Sequence, residues 1–181
     1  DTGERIYNPL FKYSEFYRFY NALIHDERLL RVMQEKGYRG KFFLHTHHKV
    51  QLKDFTGNDI IEVMQQGIDY QEEFRNNALL VTDFSSVAFD FAYLKKPVIY
   101  AQFDKDTFFQ GQVYSEGYFD YERDGLGPVC YDYESTIEAL IHAIENDCVL
   151  DPLYDERGNA FYRWFDQHNC KRVYDEIRRL H

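Results

Sequence analysis

The stretch NNALLVTDFSSVAFDFAYLKKPVIYAQFD, residues 76–104, decides the fold. Residues 78–82 are short, apolar and bounded by polar residues, which is typical of a buried parallel strand. From Ser86 to about Lys95 the apolar residues recur at helical spacing. Lys95-Lys96-Pro97 then supplies cations and a proline, which suit a helix end. Residues 98–101 resemble a second buried strand, so the stretch predicts a βαβ unit.

Two serines, Ser85 and Ser86, lie in the turn between the first predicted strand and the helix. That turn belongs to the carboxyl edge of the sheet, where open α/β sheets bind ligands. A helix start offers free N–H groups and the positive end of the dipole, so hydroxyls there can hold a phosphate. Ordinary helix capping stays open as the alternative, because Ser and Asp are favoured N-caps and no glycine-rich loop is present. Asp83 is likewise open between a cap or turn residue and a ribose ligand.

The rest of the chain alternates between predicted helices and strands. This alternation favours a mostly parallel sheet with helices on both faces, which is a Rossmann-like three-layer α/β/α domain. We expect residues 42–44, 79–81 and 98–100 to share that sheet, and residues 1–181 to form a single domain. The further predicted strands are 41–46 and 59–64. The further predicted helices are 13–24, 27–35, 70–75, 155–165 and 171–180. One more helix is predicted to begin at a capping box formed by residues 135–138.

Composition excludes several classes of function. The net charge of −10 argues against broad binding of nucleic acid or anionic membranes through this surface. The three cysteines are far apart and form no C-x-x-C pair, which favours reduced thiols over a disulfide framework or a zinc site. No apolar run is long enough to cross a bilayer, and no signal peptide is visible. The opening at Asp1 suggests a piece of a longer protein.

Two further groups of residues can carry chemistry. The run LHTHHK, residues 44–49, contains three histidines, and imidazole serves as a base, a phosphate donor or a metal ligand. If the preceding strand continues, His45 and His47 share one face. The sequence identifies no further metal ligand, so an anion-binding or catalytic role is favoured over a metal site, and structural or solvated histidines stay open as the other alternative. Arg123 can clamp a phosphate or pair with a neighbouring Glu122 or Asp124.

The runs LLVTDFSSVAFDFAYLKKPVIYAQFD, LHTHHK, GYFDYERDGLGPV and DQHNCKRVYDEI together resemble the CDP-glycerol glycerophosphotransferase family. These are teichoic-acid and capsule-type polyol-phosphate transferases of bacteria. The resemblance covers most of the chain from about residue 40. It implies a GT-B architecture of two Rossmann-like domains, of which this chain is similar to the C-terminal, donor-nucleotide half. The N-terminal half is then a missing partner.

The resemblance also implies roles for particular residues. Ser85 and Ser86 would hold the donor pyrophosphate, and His45 occupies the place of the histidine of the family's His-Pro motif. Thr46 stands where the family usually has proline, so the choice between His45 and His47 stays open. The implied reaction is attack by an acceptor hydroxyl on the β-phosphorus of CDP-glycerol with release of CMP, with no cofactor and no required metal.

The implied acceptor is a polyol-phosphate or lipid-linked glycan, and the implied location is the cytoplasmic face of the bacterial membrane. The isolated chain should be inactive, because the acceptor side of the cleft belongs to the other half. The donor could equally be a related CDP-polyol, such as one carrying ribitol. Two alternatives stay open: a nucleotide-sugar-dependent GT-B glycosyltransferase domain, and a non-catalytic ligand- or metal-binding module.

Overall fold

The structure is a computed structural model that describes residues 6–44, 46–65, 68–108 and 117–180. Parallel strands alternate with helices along the chain. The strands are β1 (Gly40–Phe42), β2 (Ile61–Val63), β3 (Leu80–Thr82), β4 (Val98–Ala101) and β5 (Val129–Cys130). The helices are α1 (Glu15–Ile24), α2 (Glu27–Lys36), α3 (Tyr70–Asn76), α4 (Val87–Tyr93), α5 (Lys105–Phe108), α6 (Tyr121–Asp124), α7 (Tyr133–Glu145), α8 (Pro152–Phe161) and α9 (Asn169–Arg179), with 3-10 segments at Pro9–Tyr13 and Thr46–Asp54.

The helix boundaries follow local chemistry. Ser14 caps α1 by accepting a hydrogen bond from the N–H of Tyr17, and Asp26 caps α2 in the same way. Gly37 ends α2 with φ of +75°, a conformation that favours glycine. A capping box does open α7, but it joins Asp132 as the cap to Ser135 as the third helical residue, and not Ser135 to Glu138 as predicted. The helix therefore begins earlier than the prediction of 135–138.

The described strands form two parallel sheets, β1–β2 and β3–β4–β5. The βαβ prediction for residues 76–104 is confirmed, since β3 and β4 pair in parallel on either side of α4. The prediction of one sheet through residues 42–44, 79–81 and 98–100 is wrong in one respect. All three strands exist, but β1 pairs with β2 and is not hydrogen-bonded to β3.

Helices cover both faces of the sheets, which confirms the α/β class. β4 is buried along its whole length and alternates between two apolar clusters. Ile99 and Ala101 face a core shared with α1, α2 and α7, whereas Val98 and Tyr100 face α4. This alternation is the period-2 pattern of a strand between two helical layers.

Two predictions about the ends of elements are corrected. The predicted strand 41–46 ends at Phe42, and a 3-10 segment occupies Thr46–Asp54, so His47 and His48 do not extend a strand. Lys96 was predicted to stabilise the end of α4, but its Nζ donates to the carbonyls of Phe74, Arg75 and Asn77 at the end of α3.

Within the described residues, no helix is long and apolar enough to cross a membrane.

Candidate functional site

The turn after β3 is built by Asp83 and Ser85. The Oδ1 atom of Asp83 accepts a hydrogen bond from the N–H of Ser85 at 3.1 Å, which closes a local turn. The Oγ atom of Ser85 accepts from the N–H of Val87 at 3.4 Å, which is at the long limit for a hydrogen bond. Asp83 therefore acts as a turn residue and Ser85 as a weak cap, while a ribose contact by Asp83 stays a prediction.

Ser86 differs from its neighbour. It is exposed, stands directly before Val87 at the start of α4 and makes no capping hydrogen bond with its side chain. No hydrogen bond within the described ranges occupies its N–H either. Capping thus accounts for Asp83 and partly for Ser85, and it leaves both the hydroxyl and the N–H of Ser86 available at the carboxyl edge of β3.

A second carboxyl, Asp104, lies near Asp83 at the same edge, three residues after the end of β4. Burial raises the pKa of Asp83 above the usual range of an aspartate. Burial also raises the pKa of Asp104, and the charge of Asp83 raises it further. The edge is therefore a partly desolvated, acidic region in which each ionised carboxyl opposes the other.

Aromatic rings hold the turn beside α6. The ring of Phe84 stacks on that of Phe108 with centroids 4.0 Å apart, and Tyr121 of α6 meets Phe84 edge-on at 5.8 Å. Arg123, two residues along α6, pairs with the carboxylate of Asp124 through Nε at 2.8 Å and a terminal nitrogen at 2.5 Å. Of the two roles considered for Arg123, the structure shows the ion pair with a neighbouring acid, and a phosphate contact stays a prediction.

The histidines predicted for catalysis cannot be placed against the serines. His45 lies outside the described residues, and of His47 the structure describes the backbone alone, in the segment Thr46–Asp54. Their contact with a reacting phosphate stays a prediction. Among the residues that the structure describes, no group of three or more His, Cys, Asp or Glu side chains could hold a metal ion.

Gln102 is a polar residue at this edge that the sequence did not single out. It directly follows β4, is 1% exposed, and neither its amide oxygen nor its amide nitrogen has a hydrogen-bond partner. Strand alternation places it on the face of Val98 and Tyr100, the face that packs on α4. The sequence feature that could have identified Gln102 is a polar residue directly after an apolar strand, shortly before the long region 105–128.

An open pocket of about 430 Å³ lies at the same edge, between α1 and the segments that follow β4 and β5. Arg18 is its cation, and no described residue forms an ion pair with it. Half of the lining residues are aromatic, and the lining consists of Glu15, Arg18, Phe19, Ala22, Phe103, Tyr131, Asp132 and Tyr133. Its volume is within the range of small-molecule sites.

Comparison with known proteins identifies the family. The family model described as CDP-glycerol:poly(glycerophosphate) glycerophosphotransferase matches residues 4–179, which is nearly the whole chain. The chain belongs to this glycerophosphotransferase family. The turn with Ser85 and Ser86 and the segment with the histidines both lie inside the matched region. No solved structure matches this glycerophosphotransferase-family chain significantly.

Curated relatives of this family member are teichoic-acid proteins. It is 39% identical over 178 residues to the minor teichoic acid biosynthesis protein GgaB of Bacillus subtilis (strain 168). This match covers 98% of the chain and 19% of GgaB. It is 30% identical over 124 residues to the teichoic acid glycerol-phosphate transferase of Staphylococcus aureus (strain NCTC 8325 / PS 47), covering 67% of the chain and 30% of that protein. The chain thus spans less than a third of the length of these relatives.

Proposed function

We propose that this chain is the donor-binding domain of a polyol-phosphate transferase of teichoic-acid or capsule-type synthesis. Its donor would be CDP-glycerol or a related CDP-polyol. Its acceptor would be a polyol-phosphate or lipid-linked glycan, held by an N-terminal GT-B half at the cytoplasmic face of the membrane. The observation that carries the proposal is Ser86, which offers a hydroxyl and an N–H at the carboxyl edge of a parallel sheet in a chain of this family.

In this proposal the turn holds the donor pyrophosphate. Ser86 donates from its N–H and hydroxyl, Ser85 donates its hydroxyl hydrogen while its oxygen accepts from Val87, and the start of α4 adds its dipole. These donors stabilise the phosphate charge that grows as CMP leaves, so they lower the barrier to transfer. Asp83 shapes the turn and contacts the ribose or polyol hydroxyls.

The histidines and Arg123 complete the proposed site. His45 or His47 faces the β-phosphate and donates a hydrogen bond to it, and the base for the acceptor hydroxyl comes from the other half. Arg123 exchanges Asp124 for the donor phosphate, since both are bidentate acceptors for a guanidinium. The isolated chain therefore binds the donor but does not transfer glycerol phosphate.

Calorimetric titration of the chain with CDP, UDP, GDP and CMP tests this function. We expect CDP to bind more tightly than UDP or GDP, and more tightly than CMP because CMP lacks the outer phosphate. His45→Ala and His47→Ala, measured separately, identify the histidine that reaches that phosphate, because the correct variant weakens CDP binding more than CMP binding. A preference for UDP would favour a nucleotide-sugar glycosyltransferase, and stoichiometric metal without nucleotide binding would favour the non-catalytic module.

A further inference from the structure

We propose that the gap between β1 and β3 is the place of one more parallel strand, supplied by the same polypeptide from outside residues 1–181 and preceding α1 in chain order. The proposal is independent of the donor-binding function. It begins from the division of the sheet: among the described strands, β1 pairs with β2 alone, and β3 pairs with β4 alone.

The hydrogen bonds show that β1 has a free edge. Gly40 donates its N–H to the carbonyl of Ile60 at 2.9 Å, and Phe42 accepts from the N–H of Met64 at 2.8 Å. In a parallel ladder alternate residues bond to the same side, so Lys41 points its N–H and C=O away from β2. No hydrogen bond in the described part of the chain occupies these groups of Lys41.

β3 has a free edge of the same kind. Leu80 donates its N–H to the carbonyl of Pro97 at 3.2 Å, which directs the main-chain groups of Leu80 and Thr82 toward β4. Val81 therefore points its N–H and C=O the other way, and no bond among the described residues satisfies them. Although β3 is largely apolar, it is only half-buried, whereas every residue of β4 is buried. An exposed apolar edge of this kind is a liability that proteins cover.

Helix α1 spans both sheets on one face. The ring of Tyr20 lies 5.6 Å from the ring of Phe42 at the end of β1, and 5.9 Å from that of Phe103 just beyond β4. Phe42 and Val81 also contribute to the same apolar core. The two sheets thus lie in one layer beneath α1.

Helix α3 spans them on the opposite face. Glu73 binds the Nζ of Lys41 in β1 at 2.8 Å, and the ring of Phe74, one residue later, lies 5.7 Å from that of Phe91 in α4. Phe74 also packs in the cluster that contains Leu80 of β3. The free edges of β1 and β3 therefore face each other between two shared helices.

The strand order identifies which strand the gap would hold. Doubly wound sheets commonly have the order 2-1-3-4-5 or 3-2-1-4-5-6. The first order would pair β1 directly with β3, and these two strands are not hydrogen-bonded to each other. The second order without its strand 1 leaves the pair 3-2 and the trio 4-5-6, which correspond to β2-β1 and β3-β4-β5. The occupant is then the first strand in chain order. The GgaB relative has further sequence outside the match, which covers 19% of its length.

The proposed strand would end beside the candidate site. Its carboxyl end would lie between the end of β1, which leads to Thr46–Asp54, and the end of β3, which leads to Ser85 and Ser86. This is the topological switch point of the sheet, where the strand order reverses. The loop that follows the proposed strand would therefore contact whatever ligand binds there.

Amide hydrogen exchange measured by NMR tests the proposal on two chains. One is residues 1–181, and the other adds the roughly 20 residues that the gene encodes directly before Asp1, enough for a strand and a turn. We expect the amides of Lys41 and Val81 to exchange at least about 100-fold more slowly in the extended chain. Phe42 and Thr82, which already donate within their sheets, should change much less.

Four results would overturn the proposal. Unchanged exchange at Lys41 and Val81, or an upstream sequence without an apolar run of strand length, would show that no preceding strand enters the gap. Protection of both amides in a monomer of residues 1–181 would show that β1 and β3 pair directly. Protection that appears only as the chain dimerises would make a second copy the occupant.

A matched pair of proline variants separates the gap from a general edge effect. Val81→Pro removes the N–H that faces the gap, and Val63→Pro removes one that points away from β1 at the outer edge of β2. In the extended chain, Val81→Pro should lower the Tm clearly more than Val63→Pro, whereas in residues 1–181 the two should have similar effects. Equal losses in the extended chain would contradict a strand between β1 and β3.

Discussion

Asp83 and Ser85 are joined by a hydrogen bond from the N–H of Ser85 to the Oδ1 atom of Asp83, with a length of 3.1 Å. An acidic side chain thus shapes the turn in which we propose that a phosphate binds. The bond uses the donor of Ser85 and leaves that of Ser86 available, so one residue fixes the turn and the next meets the ligand. Burial of the charged carboxylate of Asp83 costs free energy, and it therefore raises the pKa of this residue.

Replacement of Asp83 by Asn should stabilise the chain at neutral pH. Asn keeps an oxygen that can accept from Ser85 but carries no charge to desolvate. Because the folded-state pKa of Asp83 is raised, the parent loses stability as the pH rises from about 4 through that pKa. The Tm advantage of Asp83→Asn should therefore grow over this range and vanish below about pH 4.

Thermal unfolding as a function of pH measures this difference. Asp69→Asn is the control, because Asp69 is an exposed N-cap of α3 and Asn is an equally good cap. Its Tm at neutral pH should stay close to that of the parent. A lower Tm for Asp83→Asn at pH 7 would contradict a desolvation cost at this position.

Replacement of Gln102 by Met should also stabilise the chain in the absence of ligand. The buried amide of Gln102 has no partner, and such a group costs about 1–3 kcal/mol. Met has nearly the same length and shape without the polar atoms, so we expect a gain of about 1–2 kcal/mol, or roughly 2–8 °C in Tm. Denaturant unfolding provides the free energy, and Gln71→Met on the exposed face of α3 is the control. A loss of stability in Gln102→Met would show that the amide is satisfied in solution.

The two adjacent lysines after α4 should differ in their effect on stability. The Nζ of Lys96 donates to three carbonyls at the end of α3, at 2.6, 2.9 and 2.7 Å, and so joins α3 to the βαβ unit. Lys96→Met should cost about 1.5–3 kcal/mol, the value of hydrogen bonds made by a charged group. Lys95 instead forms an exposed ion pair with Asp155, so Lys95→Met should cost less than about 1 kcal/mol. Equal losses in denaturant unfolding would contradict the role of Lys96.

Local sequence patterns predicted most of the elements but not their wider partners. The apolar runs and helical spacing predicted the βαβ unit, and Val98–Ala101 has the predicted bounds. Patterns within one strand contain no information about the strand beside it, so the break between β1 and β3 could not be predicted. The same limit applies to Lys96, whose charge suited the end of its own helix and instead binds the end of α3.

In the candidate site, too, local features could be predicted from the sequence and the partners of side chains could not. The turn with Ser85 and Ser86 was predicted because a strand end and a helix start are local features. Arg123 and its pairing with Asp124 could be proposed only as one of two outcomes, since both partners are chemically suitable. Trp164 is 42% exposed despite its size, with the guanidinium groups of Arg163 and Arg172 over its ring at 4.6 and 4.3 Å. Cation–π contacts of this kind allow a large ring to stay at the surface.

Calorimetric titration of CDP against Ser86→Ala tests the central claim, that this turn holds the donor pyrophosphate, most directly. Ser135→Ala is the matched control, because Ser135 also lies in the first turn of a helix but its hydroxyl belongs to the capping box of α7. Ser86→Ala should remove a hydrogen bond to a charged group, at a cost of about 1.5–3 kcal/mol, and so weaken CDP binding about tenfold or more. Ser135→Ala should leave CDP affinity unchanged. Unchanged CDP affinity in a folded Ser86→Ala variant would contradict the account and leave the serines as parts of the turn alone.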